Sequence, residues 1–275
     1  MPEGDSVYRA CADLHVALAG RRVTRVDLRV PRLATAGAAL RSRTLDEVVP
    51  RGKHLLMRLG DHTLHSHLGM DGAWRLVRPG GRWPAPAHHV RAVLETADAT
   101  AIGTLLPVLE LLPRDREADA VGHLGPDLLD PAWGPQLAAD AAANLRRDPH
   151  REIAAALLDQ RNLAGLGNVY VTELCFLRGV RPTVPLARAG DLDALVALAR
   201  RTLHANRMRP AGRVFTGIDR RGARTWVYGR EGQPCRRCGT PIEAGRHGDD
   251  GDGNEERSDR SRRSAWCPRC QPPPE

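Results

Sequence analysis

Lysine is almost absent from this 275-residue chain: of its 41 lysines plus arginines, 40 are arginine, and Lys53 is the one exception. Long apolar runs are missing as well. No stretch approaches the roughly 18 consecutive apolar residues of a membrane-spanning helix, so a membrane span is not expected. The opening Met1-Pro-Glu-Gly-Asp5 carries acidic side chains and no apolar segment behind it, unlike a secretory signal, and a cytoplasmic setting is expected. Six cysteines in so long a chain do not make a disulfide-stapled mini-protein. The chain is long enough for two or three compact units, and 41% hydrophobic with 27% charged residues is ordinary for a globular protein.

Residues 5 to 19 place Val7, Cys11, Leu14 and Leu18 on one helical face, with Gly20 as a stop. From about 21 to 112 come short runs punctuated by Gly, Pro and Asp, such as Arg22 to Val30, His54 to Arg58 and Val90 to Leu94. These read as an antiparallel β-sandwich. Residues 113 to 134 read as a connector. Helical patterns follow at about 135–147, 151–159, 168–178 and 191–207, the last with Asp191 as N-cap. The expected fold class is thus α+β and multidomain. It comprises a β-sandwich domain with an N-terminal helix (1–115), a helical domain (130–222) and a cysteine-bearing ribbon (228–275). His247 to Arg260, with six acids, two arginines and no apolar residue, reads as part of a solvated, disordered acidic insertion at about 245–261. The net charge is +8, and setting the insertion aside leaves about +12 on the rest. That surplus suits a polyanion such as nucleic acid, although arginine-rich chains can be basic without binding one.

Three local patterns carry chemistry. Cys235-Arg-Arg-Cys238 and Cys267-Pro-Arg-Cys270 are two knuckles, each offering two thiolates, and together they close a tetrahedral site. One structural Zn²⁺ is expected, with a redox dithiol as the competing reading. Cys11 and Cys175 fall in apolar helical patterns and read as buried small hydrophobes. Gly165-Leu-Gly167-Asn168 lies between two helical patterns, where the glycines permit a tight turn and Asn168 can cap the next helix or point its amide outward. Such a helix start suits a phosphate, but a plain helix–helix turn would look the same. At the front, removal of Met1 would expose Pro2 as a secondary amine beside Glu3. An α-amine titrates near about 7.7–8.0 against about 10.4 for lysine, so a useful fraction is already nucleophilic at neutral pH. The lone Lys53 points the same way: arginine holds its proton throughout, whereas an ammonium can donate one and recover it. Chance retention of one codon is the bland alternative.

Met1-Pro-Glu-Gly-Asp5, Arg51-Gly-Lys53-His-Leu-Leu56, His67-Leu-Gly-Met70-Asp-Gly72, Gly165-Leu-Gly-Asn-Val-Tyr170 and Trp266-Cys-Pro-Arg-Cys-Gln271 stand in one order across nearly the whole chain. In that order they resemble the formamidopyrimidine-DNA glycosylase and endonuclease VIII family, on the endonuclease VIII side and with an actinobacterial flavour. The resemblance implies a helix-two-turn-helix domain and a zinc ribbon. It implies a bifunctional DNA glycosylase and AP lyase of base excision repair, excising oxidised bases, pyrimidines favoured, and cutting by β,δ-elimination. Pro2 would be the Schiff-base nucleophile and Glu3 the acid that opens the sugar. Lys53, on the strand after the turn, would contact phosphate and assist elimination. Gly167 and Asn168 would hold backbone phosphates, and Met70 would fill the gap left by the flipped base. Arg262 would reach a phosphate beside the lesion, with Arg263 the substitute if the insertion shifts the register. The implied partner is damaged duplex DNA, met by a monomer without a small-molecule cofactor. Ala101 to Glu110 lacks the Asp-Pro-Arg-Arg-Phe-type segment of the 8-oxoguanine branch. A purine-lesion glycosylase and a non-catalytic damaged-DNA-binding protein are the alternatives.

Overall fold

The spacing of Val7, Cys11, Leu14 and Leu18 does bury one face of a helix, α1 (Gly4–Leu18). The structure is a computed structural model that describes residues 2–210, 212–247 and 262–273. The chain divides into two compact units, Met1–His123 and Leu124–Glu275. Among the described residues no helix is long and apolar enough to cross a membrane.

In the first unit α1 is followed by β1 (Arg25–Leu28), a short α2 (Gly37–Leu40), β2 (Glu47–Arg51), β3 (His54–Leu59), β4 (His62–His67), β5 (Ala73–Val77), β6 (Val90–Glu95), β7 (Thr100–Thr104), β8 (Val108–Pro113) and α3 (Glu117–Val121). The strands form two antiparallel sheets, ordered β1-β6-β7-β5 and β2-β3-β4-β8. Alternation decides what each sheet buries. Leu55, Met57 and Leu59 of β3 share one core with Trp74, Ala92, Leu94 and Ala101 of the other sheet and with the apolar face of α1. Each such large side chain contributes about 1.5–3 kcal/mol on burial. The expected sandwich is present. The segment expected as a connector, 113–134, contains the boundary between the units and also carries α3. Glu117 explains the ordering: its carboxylate takes a bidentate pair from Arg58 and a hydroxyl from Thr63, fastening α3 to the sheet.

Register in the second sheet gathers histidines. Arg51 pairs with His54 across a two-residue turn, which places His54 opposite His67 and His65 opposite Glu110. His54 Nδ1 lies 2.8 Å from His65 Nε2, and His65 Nδ1 lies 3.2 Å from Glu110 Oε2. An ionised carboxylate only accepts, so with neutral rings His65 donates from Nδ1 to Glu110 and receives the Nδ1–H of His54. The His54 ring stacks on His65 at 5.1 Å and meets His67 and His123 edge-on at 5.1 and 6.1 Å. Burial, then the neighbouring imidazoles and Lys53, push the His54 pKa down to about 3. Burial also lowers His65, against the pull of Glu110, and lowers His67 together with Lys53 and His65.

The second unit contains α4 (Pro135–Arg146), α5 (Ile153–Leu158), α6 (Asn168–Arg178), α7 (Leu192–Asn206) and a hairpin of β9 (Glu243–His247) and β10 (Arg262–Trp266). Asp191 caps α7 as expected, its Oδ1 accepting the Ala194 N–H at 3.0 Å. Every residue of α6 from Asn168 to Phe176 is buried, and the helix ends on left-handed Gly179. Glu173 on this helix accepts the backbone N–H groups of Trp226, Val227 and Tyr228 at 2.8, 2.9 and 2.8 Å. Burial pushes its pKa up to about 7, opposed by those three donors. The acidic insertion expected over about 245–261 needs a correction at its start. Gly245 to His247 belong to β9, and His247 is 2% exposed. Pairing with β10 outweighs the polar composition there. Residues 248–261 lie outside the described residues.

A histidine with a lower pKa folded than unfolded leaves the unfolded chain holding more protons between the two values, so stability rises with pH in that window. For His54 the window runs from its ordinary 6.5 down to about 3. Lowering the pH from about 7 to about 5 should therefore depress the melting temperature, and His54→Gln should flatten that slope. Equal slopes in thermal scans would remove the histidines as the cause. Glu173→Gln keeps the volume but leaves one acceptor oxygen and points an NH2 at amide donors. Urea denaturation should show a loss of about 1–3 kcal/mol.

Candidate active site and nucleic-acid interface

In the first unit the chain enters α1 directly from Pro2 and Glu3. The Glu3 carbonyl accepts the N–H groups of Ser6 and Val7 at 2.9 and 3.0 Å, so the residue is locked as the helix N-cap by its backbone. Its side chain does no capping, and the residue is fully buried. Pro2 is half-buried and lines a groove of about 610 Å³ together with Ser6, Arg9, Asp13, Trp74 and Arg75. A buried acid thus follows a partly open proline directly in the chain.

Lys53 is half-buried in the two-residue turn between β2 and β3, not on the strand after it. The correction has a steric reason. Gly52 takes φ +58°, and a positive first angle followed by a negative one is the pattern of a type II′ hairpin turn, which puts residue 53 at the tip. Beside it lie His54 and His67, both depressed in pKa in part by the lysine charge. Sequence reasoning did not single these histidines out. The signal was available: with a two-residue loop at 52–53, position 54 must pair into the next hairpin, where His65 and His67 alternate.

Met70 is 56% exposed on the turn between β4 and β5. Two glycines make that turn. Gly69 has φ +60°, and a Cβ there would meet Pro107 Cγ at 2.7 Å; one on Gly72 would sit 2.3 Å from the Leu68 carbonyl oxygen. So tight a backbone leaves the apolar side chain outside. Leu105, on the neighbouring β7–β8 loop, is also exposed and holds φ +48°, a strained value for a branched residue.

In the second unit the Gly165–Gly167 turn leads into α6, with Gly167 as the N-cap and Asn168 as the first helical residue. Gly165 has φ +111°, which accounts for the glycine. Asn168 makes no cap; its amide faces the β9–β10 hairpin, where Nδ2 donates to the Arg263 carbonyl at 2.8 Å and His247 Nε2 lies 3.1 Å from Oδ1. Arg262 and Arg263 begin β10, paired with His247 and Arg246, and both are exposed. Arg263 lies 3.8 Å from Glu231. Cys235, Cys238, Cys267 and Cys270 converge, all four sulfurs within 4.8 Å of one another, so they could hold a metal ion. Cys11 and Cys175 are buried, and burial raises both thiols, Cys175 to about 12.

Residues 1–104 match the N-terminal domain model of formamidopyrimidine-DNA glycosylase, and 124–204 match its H2TH domain. A probable endonuclease 8 2 of Streptomyces coelicolor is 53% identical, covering 100% of this chain and 95% of its own length. The DNA-(apurinic or apyrimidinic site) lyase Nei2 of Mycolicibacterium smegmatis is 49% identical over 98% and 99% of the two chains. Endonuclease 8 of Escherichia coli is 34% identical over 98% and 100%. Among solved structures, a MutM complex with DNA containing carbocyclic 8-oxo-G superposes with TM-score 0.78 at 23% identity, covering 99% and 100%. A Lactococcus lactis Fpg complex with DNA containing an oxidised pyrimidine gives 0.77 at 23% identity, with the same coverage. These share the fold. Identity this high over full length, with both domains matched in order, makes the chain a member of the formamidopyrimidine-DNA glycosylase and endonuclease VIII family.

Proposed function

We propose that the protein is a bifunctional DNA glycosylase and AP lyase that excises oxidised bases, pyrimidines in preference, from duplex DNA. The observation that carries the assignment of chemistry is Pro2 lining a groove, with the wholly buried Glu3 next to it in the chain. With Met1 removed, the Pro2 nitrogen attacks C1′ of the flipped nucleotide, the glycosidic bond breaks, and the base leaves with a proton. Glu3 protonates the sugar ring oxygen as the ring opens. The resulting iminium draws electrons from C2′: loss of that proton expels the 3′ phosphate, and loss of the C4′ proton then expels the 5′ phosphate. Water releases the sugar remnant and restores the amine.

Lys53 at the hairpin tip binds phosphate and carries protons during elimination. Its two histidine neighbours, His54 and His67, have depressed pKa values and are neutral at pH 7, which leaves the positive charge on the ammonium. Asn168 and the Gly167 turn hold backbone phosphates. Arg262 reaches a phosphate beside the lesion, with Arg263 as its substitute. Met70 fills the space the flipped base vacates. The protein acts as a monomer in the cytoplasm, on nucleoid DNA.

The four cysteines hold one structural zinc. Thiolates at ~2.3 Å from a tetrahedral zinc stand ~3.8 Å apart, and here Cys238 lies 3.4 and 3.6 Å from Cys267 and Cys270, and Cys235 3.9 Å from Cys270. Four thiolates leave no open position, so the ion would fix the hairpin and take no part in the reaction.

Borohydride should trap the protein covalently on abasic DNA once intact mass confirms that Met1 is gone, and a form extended ahead of Pro2, whose nitrogen is then an amide, should not be trapped. Equal trapping of both forms overturns Pro2 as nucleophile. Metal analysis should return about one zinc per chain. Chelation, or Cys267→Ser, should abolish DNA binding while leaving the borohydride-reactive unit folded; binding undiminished in zinc-stripped protein would contradict a structural ion.

A further inference from the structure

Asn168 and His247 form a buried polar node in the second unit, and of the two only Asn168 has a role in the proposed function. Asn168 is 8% exposed, and His247 is 2% exposed. The Arg263 carbonyl can only accept, so the Asn168 atom 2.8 Å from it is the amide nitrogen. The oxygen therefore faces the other way, towards His247 Nε2 at 3.1 Å. An amide oxygen can only accept as well, so His247 carries hydrogen on Nε2. Burial, and then Arg262 paired opposite in the hairpin, push the His247 pKa down to about 4. The ring is thus neutral at pH 7, with its single hydrogen committed to Asn168 and a lone pair on Nδ1. That Nδ1 is buried without a hydrogen-bond partner among the described residues. An orphaned buried acceptor is unfavourable, and the contact for which it is tolerated is the one to Asn168.

We propose that His247 is a positioning residue for DNA binding: its Nε2–H pins Asn168 Oδ1 inward, so that the amide hydrogen not spent on Arg263 is the group Asn168 presents to a backbone phosphate. The inference rests on the reading of Asn168 as a phosphate ligand. An asparagine amide can show an anion either a donor or an acceptor, and only the donor is attractive. Two locks act on the same rotation. One is the Arg263 carbonyl, which is backbone, and the other is the imidazole. The same node ties the first residue of α6 to both strands of the hairpin that carries Arg262 and Arg263, so the side chains proposed to meet the phosphates are set by one small network.

The test uses full-length, metal-loaded protein and a duplex with one tetrahydrofuran abasic-site analogue, with affinity read by fluorescence anisotropy across a salt series. Asn168→Ala should weaken binding about tenfold at every salt concentration and leave the salt slope unchanged, because a neutral amide releases no counterion. His247→Phe, which keeps a buried ring but no donor, should weaken binding by about three- to tenfold. His247→Gln, whose amide N–H can reach Oδ1, should stay within about twofold of the parent. His247→Phe combined with Asn168→Ala should be no weaker than Asn168→Ala alone. Zinc content, melting temperature and borohydride trapping at saturating DNA report whether the ribbon and the first unit are intact. Rescue by phenylalanine and not by glutamine would make His247 a packing residue and overturn the proposal. Independent, multiplying losses in the double variant would overturn it as well. If Asn168→Ala itself binds like the parent, the phosphate role of Asn168 fails first, and the role of His247 fails with it.

Discussion

The second unit hangs on a carboxylate that has no business being buried unless it is fully engaged. Glu173, with 0% exposure in the middle of α6, holds three consecutive backbone amides of Trp226 to Tyr228. Those residues lead into the first cysteine knuckle, and Arg230 extends the restraint by donating to the Trp226 and Pro234 carbonyls. Phe176, one helical turn beyond Glu173, stacks on Trp226 with ring centroids at 5.3 Å and receives the Arg237 guanidinium at 4.5 Å. A helix is thereby welded to the loop that leads into the first cysteine pair, through polar contacts that apolar packing alone would not direct. The hairpin strands β9 and β10, and with them the partners of Asn168, take their place relative to α6 from this anchorage.

Arginine does two jobs here, which tempers any reading of the overall positive charge. Arg58 bridges Glu47 and Glu117 within the first unit, and Arg151 and Arg161 share Asp159, whose pKa those guanidinium groups pull strongly down. These planar forks are structural, and a lysine could not replace their paired geometry. Fewer arginines are accordingly available to a polyanion than their number suggests, although the net surplus, which already counts these acids, is unchanged. The one lysine occupies the opposite kind of position, a hairpin tip beside neutral imidazoles.

Much of the architecture was legible because local periodicity and burial agree. Val7 to Leu18 on one face, Asp191 ahead of α7 and the paired cysteines each carry their signal within a few residues. What escaped sequence reading depends on register or on distant partners. His54, His65 and Glu110 become a chain only because β3, β4 and β8 pair as they do. Glu173 carries no local signal, because the three amides it holds lie more than 50 residues further along the chain. His247 adjoins an acidic run and looks solvated, yet strand pairing buries it. Lys53 was displaced by one position, from strand to turn, because Gly52 supplies the positive φ that a two-residue loop demands.

The site at which the acidic segment enters the fold has its own consequence. His247 and Arg262 are paired across the hairpin, so the 14 intervening residues leave and rejoin at neighbouring points. Extending a loop whose ends are already held together costs only about 0.6 kcal/mol per doubling of its length. The tip of this ribbon is therefore an address where foreign peptide can be spliced in, as an affinity handle or a reporter, while the cysteine cage behind it keeps its spacing.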